Sequence, residues 1–161
     1  MALELAEELV KVMTRRSVTL ATCESLTGGG LGAAITAVPG ASAVFRGALV
    51  TYARDLKTSL AGVDEELVDT EGVVNELTAI QMALGAQNRC DADWAVSTTG
   101  VAGPTETDGQ KVGTVWFCVV GPGVGMSSRP QYTELKHFEG DRESIREQAI
   151  EHALVMCLRV Q

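Results

Sequence analysis

Histidine is nearly absent from this chain: there are two in 161 residues, His137 and His152. That scarcity leaves little material for imidazole metal sites or for a Ser-His-Asp triad. The four cysteines, Cys23, Cys90, Cys118 and Cys157, form no C-x-x-C pair and have no histidine at ligand spacing. No metal site is expected, and the cysteines read as small buried apolar residues in a reducing compartment. Positive charge is also short, since 13 Lys and Arg against 21 Asp and Glu give a net charge of −8. A balance of that sign argues against a nucleic-acid or anionic-membrane surface. No apolar run approaches the ~20 residues needed to span a bilayer. Glu4, Glu7 and Glu8 make the first residues unlike a signal peptide. The expected setting is cytoplasmic, with neither nucleic acid nor membrane as a partner.

What remains is an ordinary globular composition, 45% hydrophobic, on a chain long enough for one domain over residues 1–161. Apolar spacing predicts a helix over 3–15, a strand over 18–22, and a helix from the glycines to about residue 37. A second strand follows over 45–52, then short helices over 55–61 and 64–68 and a longer one, capped by Asn75, to about residue 90. Strands over 94–98, 112–120 and 131–138 come next, the middle one nearly all apolar and hence central. A terminal helix closes the chain. This alternation predicts a three-layer α/β/α sandwich around a mixed, mostly parallel sheet of about five strands.

The most informative stretch is Thr22-Cys23-Glu24-Ser25-Leu26-Thr27-Gly28-Gly29-Gly30. A strand that runs through hydroxyls and glycines into a helix brings Ser25, Thr27 and bare backbone N–H groups to one spot. Such a turn suits either a phosphate cradle or a serine nucleophile with an oxyanion hole. Other readings fail on detail. The G-x-G-x-x-A match at Gly28–Ala33 starts six residues past the strand, and no acidic residue ends the next one. No lysine follows the glycines as a Walker loop requires. His152 belongs to the last helix, and His137 has no distinctive partner.

A lysine base is the remaining option. Lys57 follows the second strand by one helical turn; if strands one and two are parallel neighbours, Ser25, Tyr52 and Lys57 converge at their C-terminal ends. Arg54 would help lower the lysine pKa. Periodicity by itself, however, reads Lys57 as a solvated surface residue. On the terminal helix Arg142 and Arg146 share the apolar arc. Arginines so aimed require an anion, which is either one of the protein's own carboxylates or a phosphate or carboxylate on a ligand.

The motif around Ser25 resembles the A-E-S-x-T-G-G motif of the CinA C-terminal domain family, whose members include nicotinamide mononucleotide deamidases. Further matching blocks follow in family order: Pro39-Gly40-Ala41-Ser42, Phe45-Arg46-Gly47, Val50-Thr51-Tyr52 with Lys57, Gly72-Val73-Val74, Thr99 to Pro104, Val112 to Trp116, and Phe138 to Arg142. Three places depart from the pattern. Ala53-Arg54 stands where the family commonly has Ser-Asn, Leu26 where a small residue is usual, and the loop 105–110 is short and lacks a glycine run.

The resemblance implies an amidohydrolase with Ser25 as nucleophile and Lys57 as base, Tyr52 beside them, and Ser42 in the same pocket. It implies that Arg142 binds substrate. The expected chemistry needs no cofactor and deamidates nicotinamide mononucleotide to nicotinate mononucleotide. Gly28 and Gly29 are expected to hold the oxyanion, Thr27, Gly100 and Gly103 to line the site, and Arg146 to assist Arg142. The expected partner is a small nucleotide, and the expected assembly a homo-oligomer. The alternatives are a silent ligand-binding paralogue and an amidohydrolase acting on another small amide.

Overall fold

The computed structural model describes residues 1–125 and 128–161. Helix α1 (Ala2–Arg16) buries Ala6, Leu9, Val10 and Met13 at helical spacing and stops at Ser17, whose left-handed conformation turns its N–H back to the helix carbonyls. The first strand, β1 (Leu20–Glu24), begins two residues later than the apolar pattern predicts. Val18 and Thr19 are spent on the connection: Val18 N–H donates to the Met13 carbonyl and Thr19 N–H to Asp93 Oδ2. Glu24 therefore ends the strand, and the glycine turn starts immediately after it.

Strand β1 is central and buried throughout. It pairs in parallel with β2 (Phe45–Val50) on one side and β3 (Trp94–Gly100) on the other. Strands β4 (Thr114–Val120) and β5 (Gln131–His137) add antiparallel ladders, giving the order β2-β1-β3-β4-β5. Two ladders are thus parallel and two antiparallel, and β4 alone runs against the rest.

Helices cover both faces. α1, α2 (Gly30–Thr36) and α6 (Arg142–Arg159) pack on one side, in a core that includes Leu20, Leu31, Phe117, Ile145 and Leu154. α5 (Glu76–Arg89) covers the other, over Ala21, Cys23, Ala95 and Cys118. The short helices α3 (Arg54–Ser59) and α4 (Glu65–Glu71) link β2 to α5. Phe117 is fully buried, and truncating it to alanine would cost about 3–5 kcal/mol. This is the three-layer α/β/α sandwich. Its parallel half brings the C-terminal ends of β1, β2 and β3 to one edge. Among the described residues, no helix is long and apolar enough to cross a membrane.

Candidate active site

The chain leaves β1 with two adjacent side chains pointing in opposite directions. Glu24 turns toward α2 and is fully buried. Its Oε1 accepts from the Gly29 and Leu31 N–H groups at 3.1 and 2.9 Å, and its Oε2 from Gly32 N–H at 2.9 Å and Thr22 Oγ1 at 3.0 Å. A buried carboxylate needs donors, and the start of a helix supplies them together with a favourable dipole. Gly28 N–H donates to the Ser25 carbonyl at 3.0 Å. The expected oxyanion donors, Gly28 and Gly29, are therefore both engaged within the protein. Their left-handed φ angles, 60° and 96°, shape the turn. Thr27 is likewise structural, because it is fully buried and shares a 2.9 Å hydrogen bond with Thr98 Oγ1.

Ser25 faces the other way. Its N–H is tied to the Thr98 carbonyl at 3.0 Å, and its Oγ accepts from Lys57 Nζ at 3.0 Å. Lys57 also donates to the Thr51 carbonyl at 2.7 Å. At 1% exposure it is the opposite of the solvated lysine that periodicity predicts. The reason is that α3 is only six residues long and has a single buried position, Lys57, whose ammonium is tied to Ser25 and to the Thr51 carbonyl just past β2. Burial lowers the Lys57 pKa to about 8; the neighbouring Arg54 cation adds to the effect, while Cys23 and Asp108 oppose it. Cys23, beneath the pair, is pushed up to about 12 by its own burial. Of the two side chains, Cys23 and Ser25, the serine is the one that hydrogen-bonds to the Lys57 amine.

A pocket of about 480 Å³ opens over the pair, with Tyr52, Gly100, Gly103 and Arg142 in its walls. The Arg142 guanidinium is held by two neutral groups, the Gly103 carbonyl at 2.6 Å and the Tyr52 hydroxyl at 2.9 Å. None of the ion pairs among the described residues involves it. Of the two readings of this arginine, the internal ion pair is thus not what is found, and its charge faces the pocket. Gly100 is placed by packing, since a Cβ there would lie 2.6 Å from the Thr114 carbonyl oxygen.

Two expected residues stand elsewhere. Arg146 donates through Nε to the Leu26 carbonyl at 2.9 Å and through Nη2 to the Thr27 carbonyl at 3.2 Å. It braces the glycine turn from behind and does not line the pocket. Ser42 sits exposed on the 3₁₀ turn Ala41–Ala43, at the N-terminal end of β2. The six residues of β2 span roughly 20 Å, and they carry Ser42 and Tyr52 to opposite ends of the sheet.

Sequence reasoning missed Glu24 as the helix cap and Asp108 as a pocket residue. A carboxylate one residue before Ser25 was the available signal for the first. The Asp108-Gly109 dipeptide, a strong tight-turn signal, was the signal for the second. His152 pairs with Glu134 at 2.7 Å and packs on Phe117, while His137 is exposed on β5; neither lines the pocket.

The CinA C-terminal domain model matches residues 2–160. A CinA-like protein from Frankia casuarinae is 42% identical over 149 residues, covering 92% of this chain and 33% of the relative. A putative competence-damage inducible protein from Levilactobacillus brevis is 40% identical over 148 residues, covering 91% and 34%. The chain therefore spans about a third of the length of these curated relatives. Among solved structures, a competence-damaged protein (CinA) superfamily protein from Escherichia coli superposes with a TM-score of 0.92 at 30% identity, covering 100% of this chain and 91% of that one. A competence/damage inducible protein from Agrobacterium tumefaciens gives 0.89 at 32% identity, covering 99% and 94%.

Proposed function

The chain belongs to the CinA C-terminal domain family, and on that premise we propose that it is a serine amidohydrolase acting on nicotinamide mononucleotide. The observation that carries the proposal is the 3.0 Å contact between Lys57 Nζ and Ser25 Oγ, made by a lysine whose burial brings its pKa to about 8. A neutral Lys57 keeps one N–H on the Thr51 carbonyl and turns its lone pair to the serine hydroxyl.

Ser25 Oγ attacks the carboxamide carbon while its proton passes to Lys57 Nζ. The developing oxyanion needs a donor that the protein has not already used. Leu26, next to the nucleophile, lines the pocket, and its N–H makes no hydrogen bond among the described residues; we assign it that role. Collapse of the intermediate breaks the C–N bond, and the lysine proton leaves with ammonia. Water then attacks the resulting ester, again giving its proton to Lys57; the C–Oγ bond breaks, Lys57 returns that proton to Ser25 Oγ, and nicotinate mononucleotide departs. Arg142 supplies the positive charge for the 5′-phosphate, gripping it through paired N–H donors, with Tyr52 orienting it from the other side.

The test is ammonia release from a panel of nicotinamide mononucleotide, nicotinamide riboside, nicotinamide dinucleotide and free nicotinamide. Preference for the mononucleotide by at least about tenfold in kcat/KM is expected from one charge-assisted phosphate contact. Release from another small amide alone would leave the serine chemistry and replace the substrate. No release from any amide would favour a ligand-binding paralogue.

A further inference from the structure

Part of the pocket lining, at Thr107 and Asp108, belongs to a feature that the proposed chemistry does not use. Residues 107–110 form a two-residue hairpin, in which Gln110 N–H donates to the Thr107 carbonyl at 2.8 Å and Thr107 N–H to the Gln110 carbonyl at 3.3 Å. Asp108 and Gly109 both have positive φ, 50° and 72°, as a primed turn requires. The tip of this hairpin is anchored. Asp108 Oδ1 accepts from Arg54 Nη2 at 2.7 Å, and Oδ2 accepts from Arg54 Nη1 at 3.3 Å and from Val73 N–H at 2.9 Å. Gly72, beside Val73, makes the approach possible, since a Cβ there would lie 2.6 Å from Asp108 Oδ2. One carboxylate thus joins the start of α3, the α4–α5 connection and the hairpin.

We propose that Arg54 and Asp108 are a positioning pair for the Ser25–Lys57 centre: together they pin the hairpin as a fixed pocket wall and place two opposed charges beside Lys57. The proposal rests on the reading of Lys57 as the base. Arg54 lies three residues before Lys57, at the start of the same short helix, and both arginine and aspartate line the pocket into which the lysine opens. Of the other groups around Lys57, Cys23 on β1 also acts on its charge, favouring the ammonium. Ser25 and the Thr51 carbonyl are its uncharged hydrogen-bond partners, and Arg142 is engaged with Gly103 and Tyr52. Arg54 disfavours the ammonium of Lys57 and Asp108 favours it. While the pair is intact the two influences offset one another.

That arrangement separates the pair from an ordinary surface salt bridge, whose loss would leave the base untouched. Its two members must shift Lys57 in opposite directions. The experiment follows the ¹³Cε resonance of Lys57 against pH in lysine-labelled protein, and needs no substrate. Arg54→Gln is expected to raise the titration midpoint, and Asp108→Asn to lower it, each by about half a unit or more; the double variant falls between them. The Asp108→Asn change keeps the side-chain shape and an oxygen for the Val73 N–H, so the fold is retained. In the same samples, amide exchange at Gln110 should quicken about tenfold when Arg54 is replaced, because a tie worth roughly 1.4 kcal/mol is lost from the hairpin. Midpoints that stay put, or that move the same way in both variants, would overturn the proposal, as would unchanged exchange. Failure of wild-type protein to release ammonia from the mononucleotide would count against the substrate and leave these titrations standing.

Discussion

Glu24 and Ser25 are neighbours in the chain and opposites in use. Glu24 takes the α2 N–H groups and with them the anion-binding capacity of the helix start. Ser25 is left with a lysine and an open pocket. A glycine turn feeding a helix looks the same in sequence whether its donors await a ligand or are already taken. Here they are taken, and the basic side chains that line the pocket come from other elements, Arg54 and Lys57 from α3 and Arg142 from α6. A second pair repeats the contrast on α6: Arg142 faces the pocket, whereas Arg146, one turn later, holds the Leu26 and Thr27 carbonyls.

Substitutions on the two sides should therefore fail in different ways. On the pocket side, Lys57→Met removes the base and should cost roughly 10²–10⁴ in kcat, with little loss of melting temperature, since methionine suits the buried site. In wild-type protein kcat/KM should rise with pH through about 8, the lowered pKa of Lys57, because only the neutral amine can take the serine proton. A flat profile from pH 6 to 9 would place the base elsewhere. On the helix side, Glu24→Ala leaves the Gly29, Leu31 and Gly32 N–H groups without their acceptor, and should lower stability by about 3 kcal/mol in denaturant titrations. A melting curve like that of the wild type would mean that those donors are free for a ligand after all.

The arginines sharpen the contrast with smaller effects. Arg142→Ala should raise KM for the mononucleotide roughly 10- to 100-fold, the worth of a charge-assisted phosphate contact, while activity on the riboside changes little. Equal losses on both substrates would make Arg142 a support for the Tyr52 and Gly103 wall. Arg146→Ala should cost about 1–2 kcal/mol of stability through its two carbonyl contacts, with KM nearly unchanged. Loss of binding without loss of stability there would reverse the roles assigned to the two arginines.

Much of the architecture is legible in the sequence because period and capping residues are local properties. Asn75 and Asp64 start their helices as expected, each accepting from a backbone N–H inside the first turn. The apolar run of β4 is buried as predicted except at the half-buried Trp116, though the strand begins at Thr114. Strand β1 lies two residues from its expected place because Thr22 and Glu24 are polar yet fully buried, and nothing local announces that a glutamate will be satisfied by a helix not yet formed. Lys57 shows the same limit. Its burial comes from the parallel β1–β2 pairing and the shortness of α3, and periodicity within six residues cannot report either. Ser42 falls outside the pocket for the converse reason, since adjacency in a motif is not adjacency across a strand. The Arg54–Asp108 contact joins residues 54 apart in sequence, and only the folded chain brings them together.

The central claim is that Ser25, activated by Lys57, opens the amide. It is tested most directly by measuring ammonia released from nicotinamide mononucleotide by wild-type protein and by Ser25→Ala side by side, with the melting temperature of each. The account predicts one ammonia for each nicotinate mononucleotide formed by the wild type, and a turnover at least about 10³-fold lower in a variant that melts like its parent. Equal ammonia release from the folded Ser25→Ala protein would contradict it.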